Sequence, residues 1–292
     1  MVEFKYSVVI PVYEKQENFE TFYNSIDKIL VNHSDVNFVI IDDGNSYDLN
    51  KIINKNTKNL SVINNSTNLG YGASIKKGVE YSKSQIIGII DSDNTYDFEH
   101  LIKLLKKYEE FNCDLLIGKR VFKFKDNFFK VFFRKIINKL SSKIFNNEIK
   151  DINSGFRVFC KKDFEKDKDI YSDKFSLSST QTLCTISRNK LIKYVDTNYM
   201  KRNGDSKINI LKDPFRFLYL IFKIFLIFSP MKFFGKIGIF FIIISFIILF
   251  LSIIFLENIL DLTFLILFIS GINFIFFGLI AEIIKINGNK NI

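Results

Sequence analysis

Histidine is scarce in this chain: His33, in a polar turn, and His100, in a predicted helix, are the two that 292 residues provide. A histidine triad or a histidine-rich metal centre is therefore excluded, and both rings read as solvated bystanders. Cysteine is nearly as sparse. Cys113, Cys160 and Cys184 stand far apart with no C-x-x-C pair. The sequence thus encodes neither a disulfide framework nor a zinc cluster, and a reducing, cytoplasmic setting fits best. Acid is in deficit as well: 31 Asp and Glu face 41 Lys and Arg, a formal charge of +10. That balance attracts polyanions of any kind, from nucleic acid to anionic lipid to sugar nucleotides, without choosing among them. Apolar residues are plentiful, at 48% of the chain with 34 phenylalanines. Length and composition leave room for one ordinary catalytic domain plus something small, and exclude a disordered chain.

The apolar content is concentrated towards the C-terminus. Residues 237–256 carry no charge and, at about 1.5 Å per residue, are long enough to cross a hydrocarbon core of roughly 30 Å. Residues 262–284 form a second run, charged only at Glu282. Two adjacent runs of this length exceed what a small soluble core can cover, so two transmembrane helices are predicted rather than a buried hairpin. Lys232 and Lys236 precede the first run, Lys285 and Lys290 follow the second, and Glu257 and Asp261 lie between. By the positive-inside rule both ends face the cytoplasm. The apolar N-terminal stretch is short and broken by Lys5 and Pro11, so no signal peptide is expected and the N-terminal domain is predicted to be cytoplasmic. Residues 212–230 bridge the two parts. Asp213 suits a helix cap, Pro214 the first helical position, and Pro230 a stop. Lys212, Arg216 and Lys223 fall within about 40° on a helical wheel, among Phe, Leu and Ile. This reads as an interfacial amphipathic helix lying in the bilayer surface; a third buried helix of the soluble domain is the alternative.

Residues 1–211 alternate β-rich apolar runs with helical ones. Strands are predicted over 6–12, 37–41, 60–64, 85–90 and 114–117, and helices over 19–31, 72–82 and 98–111. This alternation implies an α/β fold with a mostly parallel sheet and right-handed crossovers. Ligands in such sheets bind beyond the carboxyl ends of the strands.

Polar residues collect at that edge: Pro11-Val12-Tyr13-Glu14, Asp42-Asp43-Gly44 and Asp91-Ser92-Asp93. If the backbone stays extended through Ser92, Asp91 and Asp93 point to the same side, a spacing suited to sharing one hard divalent cation with phosphate oxygens. An Asp pair ahead of a helix can instead simply cap it. Asp42 and Asp43 at the neighbouring strand end favour the first reading, because four carboxylates around one crevice repel unless a cation or donor groups occupy it. Asn68-Leu-Gly70-Tyr-Gly72-Ala73 opens a helix. Such a loop holds phosphate or lets a backbone approach closely, and plain helix-start geometry explains it equally well. Ile75 stands where a dinucleotide fingerprint needs its third glycine, which disfavours a nicotinamide or flavin cofactor.

Together with Gly118-Lys-Arg120, Asp151-Ile-Asn-Ser154-Gly-Phe-Arg157 and Arg202-Asn-Gly204-Asp-Ser206-Lys207, these motifs occur in the order seen in family 2 glycosyltransferases. The chain resembles the polyprenyl-phosphate glycosyltransferases, the group that includes dolichyl-phosphate mannose synthases and bacterial undecaprenyl-phosphate glucosyltransferases. The resemblance covers nearly the whole chain. It implies a GT-A type α/β domain over residues 1–211, an interfacial helix over 212–230 and a membrane domain over 231–292, spanning a cell membrane with both termini cytoplasmic. It also implies inverting transfer of a sugar from a UDP or GDP donor to a membrane polyprenyl phosphate. Carried over residue by residue, Pro11, Val12, Tyr13, Glu14, Asp42, Asp43, Asp91 and Ser92 are implied on the donor nucleotide. Asp93, with Asp91 beside it, is implied on Mg²⁺ or Mn²⁺. Arg202 and Lys207 are implied on the pyrophosphate, and Arg120, Arg134 and Asn138 on the acceptor phosphate. Three departures stand out: Lys15 at the usual glutamate position, Asn45-Ser-Tyr-Asp48 in place of S-x-D, and Thr95 where Gln is common.

The acceptor side has its own physical logic. A phosphate monoester is already an anion at pH 7 and is itself the nucleophile, so no general base is required. Where hydroxyl-directed members of the superfamily place an acid, residues 175–181 here have none. The absence of tryptophan removes the Q-x-x-R-W signature of processive polysaccharide synthases. Residues 119–143 hold nine Lys or Arg against one acid, Asp126. Within 130–145, Lys130, Arg134, Lys135 and Lys139 share one arc of a basic amphipathic helix. Arginine suits bidentate phosphate contact, and generic attraction to anionic lipid is the alternative. Because the cations cluster beside membrane segments, no nucleic-acid partner is expected, while paired transmembrane helices allow a homo-oligomer. Transfer to a lipid hydroxyl, or a catalytically silent membrane subunit that binds sugar nucleotide, are the alternative functions.

Overall fold

Short runs rich in β-branched residues build the strands β1 (Tyr6–Val12), β2 (Val36–Asp42), β3 (Leu60–Asn64), β4 (Ile86–Ile89), β5 (Leu115–Phe122), β6 (Arg157–Cys160) and β7 (Ile192–Tyr199). β1 and β2 are buried at every position, as parallel strands covered on both faces must be. The computed structural model describes residues 4–13, 16–53, 58–122, 128–174, 176–200, 213–255 and 260–290. Among these the strands form one sheet in the order β3-β2-β1-β4-β6-β5-β7. All neighbours are parallel except those of β6, which runs antiparallel to both β4 and β5. The α/β class and mostly parallel sheet are as expected from the sequence. The antiparallel β6 and the edge strand β7 are additions, the first too short for periodicity to announce and the second too polar.

Helices α1 (Gln16–Asn32), α2 (Tyr71–Tyr81) and α3 (Phe98–Phe111) connect the first strands. Asp97 caps α3 by accepting from the Glu99 backbone at 3.0 Å, and left-handed Asn112 ends it, the usual signals at those two positions. Phe19, Phe22 and Ile26 of α1 join Val8, Ile10, Phe38 and Leu104 in one buried cluster. Phe22 meets Phe98 edge-on at 5.0 Å, and its truncation to alanine would cost about 3–5 kcal/mol.

The chain lays β1, β2 and β3 outward in one direction, then returns to place β4 on the other side of β1. At this reversal the connections diverge and leave a crevice at the carboxyl ends of β1 and β4. Because β6 is antiparallel, its first residue, Arg157, lies beside Ile89 at the end of β4 and Ile117 of β5. Residues 151–157 therefore reach the same edge as residues 91–93. Helix α4 (Phe128–Phe145) follows β5, while α5 (Lys161–Glu165) and α6 (Leu177–Ser187) lie between β6 and β7.

The remaining helices are α7 (Asp213–Phe228), α8 (Pro230–Phe255) and α9 (Asp261–Lys290). The chain divides into the units Met1–Tyr219 and Leu220–Ile292, the division falling inside α7. Along α7, Leu220, Ile221 and Ile224 are buried, whereas Phe215, Tyr219 and Phe222 form an exposed stripe next to exposed Arg216 and Lys223. Pro230 separates α7 from α8 and opens the latter, where its missing N–H costs nothing. α8 and α9 are long and apolar enough to cross a membrane. Phe240, Ile243, Phe246 and Phe250 of α8 are all exposed, the opposite of a helix from a soluble core.

Candidate active site

At the end of β2, Asp42 Oδ1 accepts from the Asn45 backbone at 2.9 Å and from Asn45 Nδ2 at 2.6 Å. Asn45, one of the three departures, thus closes the turn. Asp43 Oδ1 accepts from Asn65 Nδ2 and Leu69 N, and its Oδ2 from Gly70 N, each at 2.9 Å. Neutral donors relieve part of the carboxylate repulsion anticipated from the sequence, and Asp43 acts as the anchor of the 65–70 loop. The glycines of that loop serve close approach. A Cβ on Gly72 would collide with the Ser172 carbonyl, and Ala73 N donates to Asp173 O at 2.9 Å.

At the end of β4, buried Ser92 donates from Oγ to the Pro11 carbonyl at 3.1 Å, tying β4 to β1. Asp91 lies under residues 151–157. A Cβ on Gly155 would fall 2.7 Å from Asp91 Oδ2 and 2.7 Å from the Tyr71 hydroxyl, so only glycine lets this segment close over the carboxylate. Burial, then the negative charge of Asp91, pushes the Tyr71 phenol well above its ordinary range. Asp93 Oδ1 accepts from Thr95 N at 3.1 Å and Thr95 Oγ1 at 2.5 Å, so Thr95 orients Asp93. The described residues contain no cluster of three His, Cys, Asp or Glu able to hold a metal. Two carboxylates on alternate residues offer oxygen ligands only, which fits a hard divalent ion that completes its shell from phosphate and water.

On the other side of the crevice, Arg120 grips Asp151 through Nε at 2.8 Å and an Nη at 2.7 Å, and its backbone N–H adds a third contact at 3.2 Å. The pair is largely buried. Burial alone would raise the Asp151 carboxyl, but the adjacent Arg120 guanidinium outweighs it and holds the group below the usual carboxylate range, with a smaller contribution from Arg134. Asp151 is thus an anion and a poor base. Arg134, on α4, lies over the Phe122 ring with Cζ 4.2 Å from its centroid, and Arg120 Cζ is 5.9 Å from the same centroid. The two arginines therefore lie near one aromatic residue that the sequence pattern did not single out. Asn138 does something different from the expected phosphate contact. Its Nδ2 donates to Lys150 O at 2.8 Å and its Oδ1 accepts from Ile152 N at 3.3 Å, clamping the backbone on both sides of Asp151.

Pro11 and Val12 end β1, where the Val12 carbonyl accepts from Asp43 N and Asn45 Nδ2, each at 2.9 Å; Tyr13 follows, exposed. Glu14, Lys15, Arg202 and Lys207 lie outside the described residues. Sequence reasoning missed Asp151, Phe122, Tyr199 and the role of Arg157. Asp151 and Arg157 bracket a motif that was in view. Arg157 is wholly buried, donating to the Ser154 and Ser178 carbonyls and to Gln181 Oε1, which fixes the turn carrying Gly155. Phe122 and Tyr199 carried no local signal. His100 is half-buried at the start of α3 rather than solvated. Burial pushes the Cys113 thiol up to about 11 and Cys184 higher still, so neither is a nucleophile at neutral pH.

Comparison with known proteins agrees with this fold. Glycosyltransferase AglJ of Haloferax volcanii is 24% identical over 241 residues, covering 79% of this chain and 75% of that protein. Glucosyl-3-phosphoglycerate synthase from Mycobacterium tuberculosis, solved with Mn²⁺, UDP and glucosyl-3-phosphoglycerate, superposes with a TM-score of 0.56 at 14% identity, covering 76% of this chain and 78% of that one. TarS of S. aureus, solved with UDP-GlcNAc, gives 0.54 at 21% identity, covering 76% and 66%. These likenesses establish a shared fold. The model of the family "Glycosyl transferase family 2" matches residues 7–167. Since that match spans more than half of the chain, from β1 through the antiparallel strand that completes the crevice, this protein belongs to glycosyl transferase family 2.

Proposed function

We propose that this protein moves a sugar from a nucleoside diphosphate donor to a polyprenyl phosphate at a membrane surface, with inversion at the anomeric carbon. The observation that carries this reading is the acceptor side of the crevice. Arg120 and Arg134 converge there, while the carboxylate beside them, Asp151, is engaged by three N–H groups and held below its usual range. A site so equipped is poorly suited to deprotonating a hydroxyl, and well suited to an acceptor that arrives as an anion. The acceptor oxygen attacks the anomeric carbon, the bond from that carbon to the diphosphate breaks, and the nucleoside diphosphate leaves.

A Mg²⁺ or Mn²⁺ held by Asp91 and Asp93 would supply the charge stabilisation that the leaving diphosphate needs. Thr95 keeps Asp93 in one orientation, Gly155 and Tyr71 confine Asp91, and Asp43 holds the loop beside them. The solved relatives named with UDP or UDP-GlcNAc support a uridine donor, with GDP as the other candidate. Anchoring by α8 and α9 is supported by their length and their exposed apolar side chains. Helix α4 presents Phe132 and Ile136 outward among Lys135, Lys139 and Lys143, and α7 sets its aromatic stripe beside cations. Both arrangements suit an anionic lipid surface.

The test is transfer of radiolabel from a panel of UDP- and GDP-sugars to undecaprenyl phosphate, dolichyl phosphate and diacylglycerol, with Mn²⁺ or Mg²⁺. The expected result is an acid-labile lipid product whose formation stops in chelator. Product on the hydroxyl lipid alone would overturn the reading.

A further inference from the structure

Residues 151–155 carry the chain from the acceptor side of the crevice to the donor side. Asp151 pairs with Arg120, and Gly155 closes over Asp91. Between them the loop is stitched down. Ile152 N donates to Asn138 Oδ1 at 3.3 Å, and the Ile152 carbonyl accepts from Thr182 Oγ1 at 3.4 Å. Ser154 Oγ donates to the Gly118 carbonyl at 2.7 Å, and the Ser154 carbonyl accepts from Arg157 Nε at 3.0 Å. Asn153, the middle residue, is anchored through its side-chain oxygen Oδ1, which accepts from the buried Ser179 hydroxyl at 2.8 Å.

That bond uses the oxygen end of the amide. An asparagine amide also carries two N–H donors, and no acceptor among the described residues meets Nδ2 of Asn153. The residue is half-buried, so a ligand can reach the amide. Asp151 and Gly155 are each two residues away, at most about 7 Å of chain. Ser179 stands in the first turn of α6, between the buried hydroxyl residues Ser178 and Thr180. Asn153 and Ser179 carry no charge. A phosphate is drawn to the neighbouring arginine more strongly than to a neutral amide, whereas a hydroxyl, which both donates and accepts, suits an amide held in one orientation. The hydroxyl-bearing group that passes between the two sides in the proposed reaction is the sugar.

We propose that Asn153, oriented by Ser179, is a specificity residue for the transferred sugar, donating from Nδ2 to one of its hydroxyl oxygens. The inference rests on the preceding reading, in which the sugar crosses from a donor at Asp91 and Asp93 to an acceptor at Arg120. The amide then selects sugars by the hydroxyl they present to it. An analogue without that hydroxyl leaves the amide unpaired and is rejected.

The experiment is calorimetric titration of the full-length protein in detergent with Mn²⁺. UDP-glucose, UDP-galactose, UDP-N-acetylglucosamine and GDP-mannose are each compared with bare UDP or GDP, and the readout is the ratio of sugar-nucleotide to bare-nucleotide affinity for the sugar that binds best. Asn153→Ala should lower that ratio about fivefold and leave bare-nucleotide binding within about twofold. Ser179→Ala, which releases the amide, should lower it about twofold. Citronellyl phosphate, a short-chain acceptor titrated separately, should bind Asn153→Ala as it binds the parent, whereas Arg134→Gln should weaken it about tenfold. An unchanged ratio in Asn153→Ala, an equal loss of bare nucleotide, or a loss of citronellyl phosphate as large as that of Arg134→Gln overturns the sugar contact and leaves the transfer reading standing. If the parent binds no nucleotide of the panel, the transfer reading itself fails, and the sugar contact with it.

Discussion

The two sides of the crevice are built by different means. On the proposed donor side, the acids Asp42, Asp43, Asp91 and Asp93 stand at strand ends, and the described contacts to Asp42, Asp43 and Asp93 include neutral donors: an asparagine amide, a threonine hydroxyl, backbone N–H groups. On the proposed acceptor side, Arg120 pairs with a buried carboxylate and Arg134 lies over an aromatic ring. A buried carboxylate fixes an arginine at the expense of part of its charge.

This contrast can be broken by removing one charge on each side. Asp93→Asn should lower transfer about 10³-fold, equivalent to about 4 kcal/mol at the transition state, with the fold intact. Initial rates across a Mn²⁺ titration check this, and a rate within tenfold of the parent would detach Asp93 from the chemistry. On the acceptor side, Asp151→Ala should act on the fold first. It leaves Arg120 largely buried without its carboxylate, a loss of about 3–5 kcal/mol, measured by denaturant unfolding in detergent.

The Arg120–Asp151 pair also has a pH signature. The native Asp151 pKa lies below its unfolded value of about 3.9. Its contribution to stability is therefore fully present above roughly pH 4 and is lost as pH falls through the lower native value. The stability gap between the parent and Asp151→Ala should stay flat from pH 5 to pH 8 (~ values bracketing neutrality, well above that range) and narrow only in stronger acid.

Smaller changes sharpen the comparison. Thr95→Ala removes the hydroxyl that orients Asp93 and should cost about tenfold in turnover, the scale of one hydrogen bond to a charged group. Thr95→Ser should recover most of it; equal rates for the two variants would assign Asp93 another support. Asn138→Ala should have the smallest effect, raising the acceptor KM about threefold with the donor KM unchanged, because it loosens the backbone around Asp151 rather than a ligand. A loss of acceptor binding as large as that of Arg134→Gln would return Asn138 to direct phosphate contact.

The strand-end acids, the alternation of strands and helices, and the apolar C-terminal runs were all legible in the chain itself. Each rests on an interaction of short sequence range: side-chain periodicity along one strand, polar residues ending a buried apolar run, and length set against a bilayer. Predicted and observed bounds coincide for residues 6–12, 60–64 and 98–111. The glycines of Gly70-Tyr-Gly72 left phosphate binding and close packing equally open. Only the approach of residues 172–174 decided between them.

The partners that give the site its character lie beyond the reach of pattern. Asp151 meets Arg120 because β6 runs antiparallel and delivers residues 151–157 to the end of β4. Phe122 meets Tyr199 because β5 and β7 pair in parallel with those two residues in register. Composition and periodicity determined that this chain would make a mostly parallel sheet with acids along one edge, because burial and hydrogen bonding act residue by residue along a strand. Which ring would carry Arg134, and which carboxylate would hold Arg120, only the tertiary structure decided, because both depend on the register between strands far apart in sequence.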